Sequence, residues 1–267
     1  MADILVDEPA PEVARITFNR PETLNGFKAS MYPEFLGILE KIGQDPKIRV
    51  VVITGAGRGF CSGNDGAAPS EKPWVPEGVG RPHSSLYFMK ALNAITPAIR
   101  NMPQPVIAAV NGAVAGIGYS IVLACDLAIA AKSAKFVNAF HNAGTGTEVG
   151  MSYMLPRAIG TQRAAELLLT ARPVLADEAE RIGLVLKTVP DEQLMDEALK
   201  IAKEMVVNAP LDLWLTKQNM YAGQDAGSLE QAILIETRAS MMVGGTEDYA
   251  EKRAARAEKR APKFHHK

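Results

Sequence analysis

Four sets of residues in this chain have types and spacings that invite chemistry. Gly55, Gly57 and Gly59 follow an apolar run, Val50 to Thr54, and a strand that ends in glycines can bring backbone N–H groups up to a phosphate. Neither the GxGxxG spacing with a following helix nor a GK[ST] ending is present, so these glycines read as a tight turn. His83, His141, His265 and His266 share no ligand spacing with a Cys, Asp or Glu cluster, and no metal site is expected. Ser120 is the nearest candidate nucleophile, but it stands in no GxSxG elbow and has no histidine partner in sequence. Cys61 and Cys125 lie far apart in apolar contexts, which suits two buried thiols better than a disulfide or a zinc knuckle.

The elements around these residues alternate in period. Val13 to Asn19 alternates apolar and polar like a half-buried strand, and Met31, Phe35, Leu36, Leu39 and Ile42 then recur at helical spacing behind Ser30. The run Val50 to Thr54 predicts a buried strand. Residues 66 to 84 are rich in Pro and Gly and have no period, the pattern of a loop bordering a site. A helix is expected over Leu86 to Met102, a strand over Val106 to Val110, a short helix opened by Gly116-Ile117-Gly118, and a strand over Leu127 to Ala131. Strands alternating with helices imply an α/β core with parallel pairing. From about residue 147 helical spacing dominates, in segments ending with Leu194 to Val207, Leu211 to Tyr221, Leu229 to Val243 and Tyr249 to Arg260.

Composition narrows the partners. The 267 residues are 47% apolar with a net charge of −1, enough to build a sizeable core and too balanced to offer nucleic acid a basic field. No apolar run approaches a membrane span, and the acidic N-terminal stretch has no basic n-region before an apolar segment, so a cytoplasmic location is expected.

Three motifs stand together: GAGRGFCSGND (55 to 65), PVIAAVNGAVAGIGYSIVLACDLAIA (105 to 130) and AKF (134 to 136). With FNRPETLNG (18 to 26) and EKRAPKF (258 to 264), they make the chain resemble the enoyl-CoA hydratase/isomerase (crotonase) superfamily over nearly its whole length. The resemblance implies an α/β fold, a crotonase-like spiral of ββα units over residues 1–200, followed by a helical trimerisation region over 201–267. It implies an acyl-CoA thioester as substrate, no cofactor beyond its CoA moiety, and a homotrimer or hexamer. An oxyanion hole is implied at the backbone N–H groups of Ser62 and Ile117. Preorganised donors of this kind stabilise a thioester enolate by about 3–4 kcal/mol each, and a helix opening at Ile117 adds its dipole. The pocket is placed by the same resemblance at Asp65, Gly116, Tyr119, Ser120 and Phe140, and CoA phosphate contacts at Lys28, Arg58 and Lys259, the last reaching a neighbouring subunit.

Hydratases of this superfamily carry two glutamates, and the matching positions here are Ser120 and Phe140. A third acidic position, an Asp in isomerase relatives, matches Glu148 within GTGTEVGMSYMLPR (144 to 157). One carboxylate suffices for isomerisation, because it can take a proton from one carbon and return it to another. Double-bond isomerisation by Glu148 is therefore the first expectation, hydration by Glu148 alone the second, and dehalogenase-like or hydrolase chemistry the third. The stretch AKFVNAFHNAGTGTEVGMSY is also similar to 4-chlorobenzoyl-CoA dehalogenases, but their histidine base falls at Asn93 here. A non-catalytic CoA-binding or scaffold protein is the competing class, and Glu148 then serves only as a charge before a helix. Tyr119 and Phe140 have a plain core reading beside the pocket one.

Overall fold

The computed structural model describes residues 2–67 and 75–267, with Asn142 described by its backbone alone. A large sheet runs in the order β1-β2-β3-β5-β7-β10: β1 (Ile4–Ala10), β2 (Val13–Phe18), β3 (Val50–Gly55), β5 (Val106–Val110), β7 (Leu127–Ala131) and β10 (Lys187–Val189). Among the described residues of this sheet, only β1 pairs antiparallel. A smaller sheet has the order β4-β6-β8-β9, from β4 (Gly59–Cys61), β6 (Ala113–Ala115), β8 (Lys135–Val137) and β9 (Val174–Leu175). Three times in succession the chain leaves the large sheet and enters the small one, β3 to β4, β5 to β6 and β7 to β8, before a helical crossover starts the next turn. This is the expected spiral of ββα units.

The unbroken apolar runs are explained by burial on both faces. Val51, Ile53, Val106, Ala108, Val110, Ala128 and Ala130 point into the main core. Their neighbours Val50, Val52, Ile107, Ala109, Ile129 and Ala131 pack on the other face, where Leu194, Ala198 and Ala202 of a later helix cover them. The helices are α1 (Met31–Gly43), α2 (Arg81–Asn93), α3 (Ile95–Asn101), α4 (Ile117–Ala124), α5 (Ala139–Asn142), α6 (Met151–Ile159), α7 (Thr161–Thr170), α8 (Ala176–Arg181), α9 (Leu194–Val206), α10 (Pro210–Asp225), α11 (Leu229–Gly244) and α12 (Glu247–Ala257). Helix α9 is the cover of the large sheet, and α1, α3, α4 and α6 pack successively on one another.

Two expectations are corrected here. The helix expected over 86–102 starts earlier and breaks in two. Gly80 and Pro82 open α2 at Arg81, so residues 81–84 are not loop, while 68–74 of that expected loop lie outside the described residues. Pro97 sits in the first turn of α3, where it is tolerated, but its ring cannot coexist with a continuous helix through Asn93, so α2 ends there. Ser30 precedes α1 without a side-chain capping bond. Cys61 and Cys125 are buried free thiols, as expected, and burial pushes the Cys61 thiol up to about 12.

The C-terminal helices meet the core through a buried polar joint. Lys217 of α10 donates to the carbonyls of Ile99 and Gln104, each at 3.0 Å, and pairs with Asp126 at 2.9 Å. Asp126 also accepts from Tyr221 Oη at 2.7 Å and from Val106 N–H at 2.7 Å. No helix of the described residues is long and apolar enough to cross a membrane.

Candidate active site

The loops that leave the three parallel strands of the small sheet lie side by side. Gly63 follows β4, Gly116 follows β6, and Ala139 and Phe140 follow β8. A Cβ on Gly116 would stand 3.4 Å from Gly63 Cα, 3.8 Å from Ala139 Cβ and 3.9 Å from the Phe140 ring. Gly63 and Gly116 both have positive φ, +104° and +51°, a conformation that favours glycine and turns the next peptide outward. The residues after them, Asn64 and Ile117, therefore carry neighbouring amides. Among the described residues neither N–H has a hydrogen-bond partner.

This geometry corrects one expected donor. The Ser62 N–H is spent on the Leu24 carbonyl at 2.9 Å, and its hydroxyl donates to Thr23 O at 2.7 Å. Ser62 ties the loop down, and the open amide is two residues on, at Asn64. The usable signal was the glycine itself: each open N–H belongs to the residue following a positive-φ glycine. Ile117 is placed as expected, first in α4, with its N–H at the positive end of that helix.

Glycines 55 and 59 form the tight turn that the sequence implied. A Cβ on Gly55 would come within 2.2 Å of Gly59 O, and one on Gly112 within 2.1 Å of Arg58 O. Asn25 and Asn111 knit this turn from either side: Asn25 Nδ2 donates to Ala56 O and Gly59 O, and Asn111 Nδ2 to Gly57 O. Gly118 packs on Cys61, where a Cβ would stand 2.4 Å from the carbonyl oxygen.

The expected pocket residues separate into two groups. Phe140 lies against Gly116, and Ser120 is completely buried in α4 with an unpartnered hydroxyl. Tyr119 fits its core reading, since it is buried and its ring packs on Phe136 at 5.6 Å. Asp65 serves as a strut, paired with Arg20 at 2.8 Å and accepting from Ala67 N–H.

Glu148 is half-buried, three residues before α6, and Tyr32 of α1 sits against the Asn64 loop. Fully buried between Phe27 and Phe88, Tyr32 donates to Asn64 Oδ1 at 3.2 Å. Burial pushes its hydroxyl pKa up, and the nearby Cys61 and Glu148 push it further. Sequence reasoning missed Tyr32, since an aromatic at helical spacing reads as core.

The three candidate phosphate-binding cations lie on separate segments of the chain. Lys28 pairs with Asp3 at 2.6 Å, Arg58 is exposed in the glycine turn, and Lys259 follows α12 at the C-terminus. Helix α12 itself leans on α11 and, through Lys252, on Val207 O. No group of three or more His, Cys, Asp or Glu able to hold a metal occurs among the described residues.

Residues 8–267 match the enoyl-CoA hydratase/isomerase family. A probable enoyl-CoA hydratase of Mycobacterium bovis is 45% identical over 263 residues, covering 98% of this chain and 92% of the relative. The 1,2-epoxyphenylacetyl-CoA isomerase of Escherichia coli is 33% identical, covering 99% of both chains. Among solved structures, a probable enoyl-CoA hydratase/isomerase from Mycobacterium abscessus superposes with a TM-score of 0.92 at 42% identity, covering 98% of each chain.

Proposed function

The chain belongs to the enoyl-CoA hydratase/isomerase family, and from that premise we propose that it isomerises an acyl-CoA thioester with Glu148 as the sole acid/base. The carrying observation is the pair of open amides at Asn64 and Ile117. Glu148 removes a proton from a carbon conjugated with the thioester, and the electron pair moves onto the carbonyl oxygen. The two N–H groups hold the resulting enolate oxygen. Glu148, now protonated and exchanging that proton with solvent, delivers a proton to another carbon of the chain, so no water is consumed and the double bond has moved. Ser120 and Phe140 occupy the places where hydratase relatives carry glutamates, and neither can share the orientation and deprotonation of a water.

The relative named 1,2-epoxyphenylacetyl-CoA isomerase supports rearrangement without net hydration, and the one named probable enoyl-CoA hydratase supports the same enolate with water added. Enoyl-, dienoyl- and aryl-CoA thioesters incubated in deuterated water with wild type and Glu148→Gln, read by mass, decide between them. Glu148-dependent deuterium gain without added water mass is the expected result. A Glu148-dependent gain of water makes the enzyme a hydratase, and binding without turnover supports the scaffold reading.

The assembly belongs to the same proposal: a homotrimer, or a hexamer of two trimers, in the cytoplasm, through α10 to α12. Leu229, Leu234 and Met241 of α11 are 71%, 50% and 75% exposed in the single chain, an apolar surface suited to burial between copies. Sedimentation of the purified protein as a monomer would contradict it.

A further inference from the structure

We propose that Thr96 is a positioning residue for Glu148, holding through its hydroxyl the strained turn that presents the carboxylate. This inference rests on the reading of Glu148 as the acid/base. Met151 N–H donates to the Glu148 carbonyl at 3.1 Å, closing a four-residue turn over Glu148, Val149, Gly150 and Met151. Both central residues have positive φ, +56° at Val149 and +76° at Gly150, which makes it a type I′ turn. That turn favours Asn-Gly, and a β-branched residue at its first central position is an outlier. Backbone strain of this kind persists only where the surroundings over-determine it.

Two contacts do so here. The Val149 side chain is buried in the main core, which pulls the turn inward. Its carbonyl accepts a hydrogen bond from Thr96 Oγ1 at 3.3 Å, from the first turn of α3. Thr96 is itself 6% exposed, and its hydroxyl also borders Gly150, 3.7 Å from where a Cβ would stand. A helical threonine commonly bonds back to its own helix, whereas this one reaches across to a turn over fifty residues away. Helix α3 packs on α4, whose first residue supplies the Ile117 amide. The Thr96 hydroxyl therefore references the carboxylate to the element that carries one of the two donors.

The test compares Thr96→Val, which keeps the shape and loses the hydroxyl, with Thr96→Ser, which keeps the hydroxyl, and with Val149→Gly, which loosens the turn without touching Thr96. On the thioester that wild type turns over, Thr96→Val and Val149→Gly are expected to lose roughly 10- to 100-fold in kcat at unchanged KM, and Thr96→Ser to restore it. Crystals of Thr96→Val are expected to show the turn displaced. Wild-type kcat in Thr96→Val, an unmoved turn, or a loss in Thr96→Ser equal to that in Thr96→Val overturns the proposal. Glu148→Gln run alongside separates the two readings: if it keeps wild-type turnover, the acid/base assignment fails, while the turn's dependence on Thr96 is still read from the crystals.

Discussion

The two halves of the candidate site are held by different means. The amide half is fixed by backbone against backbone, with Gly112 on Arg58, Gly118 on Cys61 and Gly116 on Gly63, at separations that leave no space for a Cβ or barely admit one. The acid half hangs on a short turn, kept in place by a buried valine and one threonine hydroxyl. In the first half the chain's path is the function, and side chains matter only as spacers. In the second, on the proposed reading, a side chain is the function, and the path merely aims it. A fold built this way can keep one electrostatic task constant while the acid/base group is changed or moved.

The contrast can be broken most forcefully at the acid. Glu148→Gln should cost about 10²–10⁴-fold in turnover while leaving the unfolding midpoint in place, because a half-buried turn side chain supports catalysis and not the core. Stability and activity measured on one preparation check this. The opposite behaviour is expected at Gly112→Ala, where the new methyl meets a backbone carbonyl that cannot swing aside. It should lose about 3 kcal/mol in denaturant unfolding. Tyr32→Phe tests the hold of α1 on the Asn64 loop and should cost about 1 kcal/mol, a factor of roughly five in kcat. Its pH profile should keep the wild-type alkaline limb, since burial raises the Tyr32 hydroxyl's pKa and the group stays protonated. Asn64→Ala removes the same hydrogen bond from its acceptor side and should cost a similar factor of roughly five in kcat and no more, because the donor assigned there is main chain and survives the substitution. A large loss would mean that the Asn64 side chain, and not its amide, is what matters.

Much of this was legible in the order of residues, for reasons that differ by region. The runs at 50–54, 106–110 and 127–131 were readable as buried strands because both faces are covered, so composition alone carries the signal. Strands β4, β6 and β8 have three residues each, too few for any period, and yet they are the elements that carry the site loops. The break between α2 and α3 was marked by Pro97, which helical spacing alone overlooks. Glu148 and Ile117 were reachable by motif. Ser62 was not the donor because backbone availability depends on which amide the neighbouring Leu24 carbonyl captures, a matter of tertiary contact. Thr96 and Tyr32 look like ordinary core residues until their hydroxyls are followed.

The contact between Gly63 and Gly116 has a consequence for how the protein comes into being. The paired amides lie on successive turns of the spiral, far apart along the chain, so they exist as a pair only after one turn has stacked on the previous one. Contacts between distant segments form late, since loop closure must be complete before they reward it. On dilution from denaturant, helical signal should therefore return before the ability to exchange a thioester's protons.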